Sequence, residues 1–146
     1  MEEEKNYVIT HRYPIRIRYA DTDMMGFVYN GNYLKFFEIG RTELMRHYNL
    51  VYSELEKSGY QLPLTEAYVK YHNAAVYDDL LEIETLLELN SITSKLKFKY
   101  NVLRDNELIA SGYTVHIFMK IETKKAVRPP MFFMEGINQI KINHFS

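Results

Sequence analysis

The chain contains no cysteine. That excludes disulfides, thiol nucleophiles and cysteine-ligated metal, and it is neutral about compartment. An excess of charge of one sign is missing too. The formal net charge is −1, so composition offers no electrostatic footprint for nucleic acid or an anionic membrane surface. No apolar run is long enough to span a bilayer. The opening residues, MEEEKNYVIT, are acidic and lack an apolar stretch, so they do not read as a signal peptide. A cytoplasmic protein without stable membrane insertion is expected. Tryptophan is absent, against thirteen Tyr and eight Phe, a bias that carries no functional reading.

Catalytic signatures are also missing. No G-x-S-x-G elbow marks a serine hydrolase, and no phosphate-binding loop or dinucleotide-binding glycine fingerprint is present. The five histidines show no HExxH or other paired ligand spacing. Neither a metal nor an organic cofactor is expected. His116 falls inside a strand pattern and reads as a satisfied strand residue.

What remains is ordinary globular composition, 47% apolar and 25% charged. A length of 146 residues fits one domain spanning residues 1–146, large enough for a core. There is no internal repeat, low-complexity tract or linker.

The stretch from Arg18 to Arg46, RYADTDMMGFVYNGNYLKFFEIGRTELMR, organises the rest. It begins as a loop with two acids, Asp21 and Asp23, and a glycine, Gly26. It continues as the longest helix, because Tyr33, Phe36, Phe37, Gly40, Leu44 and Tyr48 share one apolar stripe at helical spacing. Glycine mid-helix costs about 1 kcal/mol relative to Ala, so Gly40 implies close packing of the helix on a sheet. Asn30 is the expected N-cap and Gly31 a flexible entry. Leu34 and Met45 project from another flank, beside Glu38.

Elsewhere the period is two. Tyr13 to Tyr19 alternates, with Ile15, Ile17 and Tyr19 on one face. Residues 1 to 10 read as loose or an edge. Asn49 to Ser58 reads as a short helix with Ser53 and Glu56 as a capping pair, closed by Gly59. Leu64 to His72, Leu80 to Leu89, Lys95 to Leu103 and Leu108 to Ile121 read as strands. Glutamates on the third of these five strands face lysines on the fourth, and Arg104 to Glu107 forms a hairpin turn. Arg128-Pro129-Pro130 ends regular pairing, with a short tail beyond. Consecutive strands with turn-length connections imply an antiparallel sheet covered by one long helix, an α+β domain.

The run Y-A-D-T-D-x-x-G-x-V-Y-x-x-N-Y-L-x-x-F-E, from Tyr19 to Glu38, resembles the hotdog-fold acyl-CoA thioesterases of the 4-hydroxybenzoyl-CoA thioesterase class, and most of all their Tol–Pal-associated branch. The resemblance implies a five-stranded antiparallel sheet wrapped around a long central helix. It also implies hydrolysis of an acyl-CoA thioester to a free acid and coenzyme A, and a homodimer or homotetramer with sites at subunit interfaces. Asp23 matches the catalytic acid of the motif, as nucleophile or as general base. In the Tol–Pal branch the residue just before the helix is often His; here it is Asn30, which leaves a role for the backbone N–H.

Those matches fit elementary chemistry. N–H groups at the helix start, around Asn30, Gly31 and Asn32, could polarise a thioester carbonyl. Asp23 could then attack the carbonyl or activate a water; its alternative is a turn-capping role. Asp21 holds the loop. The D-T-D-M-M-G run also resembles the opening of a calcium loop, but Met25 and Asn32 fail its ligand positions. Asn32 fixes the loop, and Tyr33 either walls the acyl pocket or packs in the core. Glu38 matches an acid that meets the acyl group in the 4-hydroxybenzoyl branch, with an i,i+3 pair to Arg41 as its alternative. Lys124, Lys125 and Arg128 either meet coenzyme A phosphates or form a solvated basic turn. Two rival functions stay open: a thioesterase acting on acyl carrier protein, and a non-catalytic acyl-thioester-binding hotdog protein.

Overall fold

The computed structural model describes residues 6–145. The elements are β1 (Val8–Arg16), α1 (Asn32–His47), α2 (Tyr52–Lys57), β2 (Tyr60–Gln61), β3 (Leu64–Tyr71), β4 (Leu80–Glu88), β5 (Lys95–Arg104), β6 (Glu107–Lys120), β7 (Ala126–Val127) and α3 (Met131–Phe145). All pairings are antiparallel, in the order β1-β4-β5-β6, with β2, β3 and β7 all pairing with β6. Five strands were expected; the sheet has seven, because two dipeptide strands, β2 and β7, extend β6 at its far end.

Alternation places the core. Leu81, Ile83, Thr85 and Leu87 of β4 and Leu96, Phe98, Tyr100 and Val102 of β5 all point inward. The β5–β6 hairpin turns on Asp105 and Asn106, both at positive φ, as a two-residue turn matching strand twist requires. The expected Glu–Lys ladder is replaced by another partner. Glu82 and Glu84 pair with Arg12 of β1, and the β4–β5 register sets Glu84 opposite Asn101.

α1 buries Tyr33, Phe36, Phe37, Gly40 and Leu44 on the sheet. A Cβ on Gly40 would lie 2.5 Å from Thr85 Oγ1 and 2.7 Å from Ile83 Cγ2, so glycine lets the helix sit directly on β4. Phe37 stacks on Tyr100 at 4.2 Å. Met45, expected on an outward flank, is 3% exposed, whereas Leu34 stays 41% exposed. Met45 shares a cavity wall with Tyr52 and Leu62, whereas Leu34 lies outside that lining.

Other boundaries moved for local reasons. β1 starts at Val8 and stops at Arg16, so the part of residues 1 to 10 from Val8 on, expected to be loose or an edge, is an edge strand; residues 1–5 lie outside the described residues. Tyr19, expected inward with Ile15 and Ile17, is exposed and stacks on Tyr77 at 3.9 Å. The Asp21 carboxylate accepts from the Arg18 N–H and bends Tyr19–Asp21 into a 3-10 turn, ending the strand early. α2 begins at Tyr52 after Val51 without a side-chain cap, so Ser53 lies inside the helix and does not cap it. The expected short tail is instead the helix α3. Pro129-Pro130 leads into it, a position where proline's missing N–H costs nothing, and Phe133, Ile137 and Ile140 bury one face. Phe133 meets the Phe118 ring of β6 edge-on at 5.1 Å.

Candidate active site

The two loop acids have different tasks. Asp21 is buried: its carboxylate accepts from the Arg18 N–H, and Lys35 Nζ stands 3.8 Å away. Its carbonyl accepts from the Tyr29 N–H and from Asn32 Nδ2, at 2.9 and 2.8 Å. Asn32 therefore ties the first turn of α1 to the acid loop. Asp23 is exposed. Its Oδ1 accepts from the Met25 N–H at 2.9 Å and the Phe27 N–H at 3.2 Å. Those bonds close a tight turn that needs Gly26 at φ +83°. Oδ2 accepts no bond among the described residues. One oxygen is thus anchored while the other stays open on an exposed residue.

Asn30 is not the cap. The cap position is Gly31, already in helical conformation, with no side-chain cap bond. The chain enters α1 through a turn in which Asn32 N–H donates to the Tyr29 carbonyl and Tyr33 N–H to the Asn30 carbonyl. The Asn32 N–H is consequently spent. Those of Asn30 and Gly31 have no partner among the described residues, and they carry the partial positive charge of a helix start. Gly31 fits because the Tyr29 ring would stand 2.8 Å from any Cβ there. Tyr71, at the end of β3, donates its hydroxyl to the Asn30 carbonyl at 3.0 Å. Sequence reasoning missed Tyr71, since no local pattern connects it to a loop forty residues earlier.

Tyr33 packs in the core, edge-on to Phe36 and Tyr71, and burial pushes its phenol up to about 12. Glu38 and Arg41 form no ion pair, with each other or with any described residue. Both instead line a cavity of about 150 Å³ between α1 and the sheet, with Met45, Leu62, Phe98 and His116. His116 is 2% exposed, and its Nδ1 and Nε2 meet the Leu62 carbonyl at 3.1 Å and Thr114 Oγ1 at 3.0 Å. A carbonyl only accepts, so Nδ1 carries the proton and Thr114 donates to Nε2. Burial first, then the Arg41 charge, lower this imidazole to about 4. It is a satisfied, neutral strand residue.

Lys124, Lys125 and Arg128 are exposed near the β6–β7 turn. β3 places Tyr71 opposite Ala110, and β6 runs on to Lys120. Ten strand residues span roughly 33 Å, so one chain does not bring these cations to Asp23. Among the described residues no group of three or more His, Cys, Asp or Glu could hold a metal ion. No helix of the described residues is long and apolar enough to cross a membrane.

An antiparallel sheet packed on one helix is the hotdog arrangement. The chain belongs to the thioesterase-like superfamily, whose family model matches residues 17–137, and as a member it is a thioester hydrolase. It is 36% identical over 107 residues to the acyl-CoA thioesterase YbgC of Haemophilus influenzae, covering 72% of this chain and 76% of that one. Identity to the acyl-CoA thioester hydrolase YbgC of Escherichia coli O157:H7 is 34% over 98 residues, covering 67% and 73%. Among solved structures, the DHNA-CoA thioesterase of Staphylococcus aureus superposes with a TM-score of 0.83 at 28% identity, covering 91% of each chain.

Proposed function

We propose that the protein hydrolyses acyl-CoA thioesters, with the loop from Asp21 to Gly31 as its reaction centre. The observation that carries this reading is that one short loop holds, among the described residues, a carboxylate oxygen without a partner on Asp23 and two unpartnered N–H groups, of Asn30 and Gly31. The thioester carbonyl oxygen lies against those amides, which stabilise the negative charge that develops on it. Asp23 Oδ2 then either takes a proton from the attacking water or attacks the carbonyl carbon itself. In both routes the C–S bond breaks and coenzyme A leaves as its thiolate, protonated by Asp23 in the first and by water in the second. In the second, water then hydrolyses the aspartyl anhydride. Label in Asp23 after single turnover in ¹⁸O-water identifies the nucleophilic route with water attacking the Asp23 carboxyl carbon.

Coenzyme A as carrier is supported by the relatives' named substrates. The Asp23 motif supports placing the chain in the 4-hydroxybenzoyl-CoA and Tol–Pal-associated branch, and the acidic opening without an apolar run supports work in the cytoplasm. The test is Asp23→Asn, which keeps shape and removes charge and basicity. Turnover should fall by about 10² or more with an unchanged unfolding midpoint. Near-native kcat in a folded Asp23→Asn protein would overturn the assignment. Equal turnover on carrier-protein and coenzyme A thioesters would remove the carrier preference, and tight binding without turnover would leave a binding protein.

The same reading includes a dimer. Among the described residues β3 pairs only with β6, so its other edge offers unpaired N–H and C=O groups, and Leu64, Tyr68 and Tyr71 along it are each 49% exposed. Joining two such edges satisfies those groups and brings a partner chain beside Leu34. Sedimentation at micromolar concentration tests this, and a fully active monomer would refute it.

A further inference from the structure

Besides the stripe buried on the sheet, α1 carries a second one. Gly31, Leu34, Glu38, Arg41 and Met45 recur at spacings of three and four and so lie along one flank. The flank starts at the free Gly31 amide and crosses the exposed Leu34. It ends at the cavity between α1 and the sheet, where Met45 and Phe98 are apolar walls.

The polar atoms at the back of that cavity are almost all spent. Tyr100 and Thr114 share a 2.6 Å hydroxyl contact, Thr114 donates to His116, and His116 donates to the Leu62 carbonyl. Since Thr114 donates to the imidazole, Tyr100 is the donor in the first bond. Arg41 stands in the same wall. Its guanidinium lies within electrostatic reach of the Tyr100 hydroxyl and is half-buried without a carboxylate partner among the described residues, so most of its five-donor capacity is open. Glu38, one turn nearer the helix start, is exposed at the rim, where water screens its charge.

We propose that this flank is the acyl track of the thioesterase site and that Arg41 receives a carboxylate at the far end of the acyl group. The substrate class is then the monothioester of a dicarboxylic acid. The inference rests on the thioesterase reading for the position of the carbonyl and on the cavity for the other end. A planar guanidinium with spare donors, partly withdrawn from water, matches a carboxylate better than an alkyl terminus or a hydroxyl. Gly31 and Arg41 are ten residues apart, about 15 Å along the axis. The Arg41 side chain leans back toward the helix start, so an acyl chain of medium length spans the remainder.

The test compares suberoyl-CoA with octanoyl-CoA, which differ only at the distal end. Wild-type kcat/KM should favour suberoyl-CoA by about tenfold or more, the worth of a charge-assisted hydrogen bond, and Arg41→Met should bring that ratio close to parity. Non-hydrolysable thioether analogues of both are titrated in parallel by calorimetry on the wild-type protein. Parity in wild-type turnover and binding overturns the inference while leaving the thioesterase intact. A preference that survives in folded Arg41→Met removes Arg41 from the role. Absence of turnover on both, with tighter binding of the carboxylate analogue, supports the track and overturns the hydrolase reading for these chains. If Arg41→Met fails to fold, the wild-type binding ratio decides.

Discussion

Gly40→Ala sets helix propensity against packing. Alanine gains about 1 kcal/mol in a helix interior. The new methyl, however, would sit 2.5 Å from Thr85 Oγ1 and 2.7 Å from Ile83 Cγ2, roughly 1 Å inside the ordinary carbon contact of 3.5–4.0 Å. Neither neighbour can swing away, because both are fully buried and β-branched. Overpacking of this kind costs about 1–3 kcal/mol, and two rigid neighbours place it at the upper end. The expected outcome is a net loss of about 2 kcal/mol, read as a lower urea midpoint at unchanged m-value. Thr85 makes the origin testable, since its hydroxyl is buried without a partner among the described residues. Thr85→Ala removes that hydroxyl and the contact together, so the double variant should show a coupling of at least about 0.5 kcal/mol in the favourable direction. A Gly40→Ala protein more stable than wild type would mean that the helix does not need this close approach, and the packing argument would be wrong.

Other substitutions probe the site and the core. Tyr71→Phe frees the Asn30 carbonyl, and because the peptide is planar the Gly31 N–H loses its fixed direction with it; kcat should fall by about tenfold, a fraction of a lost oxyanion donor, with KM and the unfolding midpoint nearly unchanged, and a larger change in KM than in kcat would count against it. Asn30→Ala should cost less than about 0.5 kcal/mol, not the 1 kcal/mol of a cap, because no cap bond is made; thermal unfolding decides. His116 is lowered from 6.5 to about 4 by burial and Arg41, so between those values the unfolded chain binds a proton that the folded chain refuses. Its contribution is intact above pH 6.5 and is lost as pH falls toward 4, by at most about 3 kcal/mol. His11, also lowered by burial and by His47, acts in the same direction. Urea midpoints between pH 7 and 4.5 should therefore fall less steeply in His116→Gln than in wild type; parallel curves would refute the assignment.

Periodicity alone settled much of this protein. The apolar stripe of α1, the alternation of β4 and β5, the hairpin at Asp105-Asn106 and the need for glycine at position 40 all follow from spacing of neighbouring residues, which is local information. Asp23 came from the resemblance of the run Tyr19 to Glu38 to a known family, while the residues themselves pointed only to acids ahead of a helix start. Spacing did not reveal α3, because Met131-Phe132-Phe133-Met134 is apolar on every side and shows no period until β6 supplies a face to bury. Nor did it place Met45, which shares a cavity wall with Tyr52 and Leu62, or the Asn30 cap, displaced by a turn whose carbonyls were already committed. Tyr71 on Asn30, and Arg41 near Tyr100 without a carboxylate, join residues forty-one and fifty-nine positions apart in the chain. Local propensity acts over a few residues, whereas which donor is left free at a site depends on every group that the folded chain brings near it.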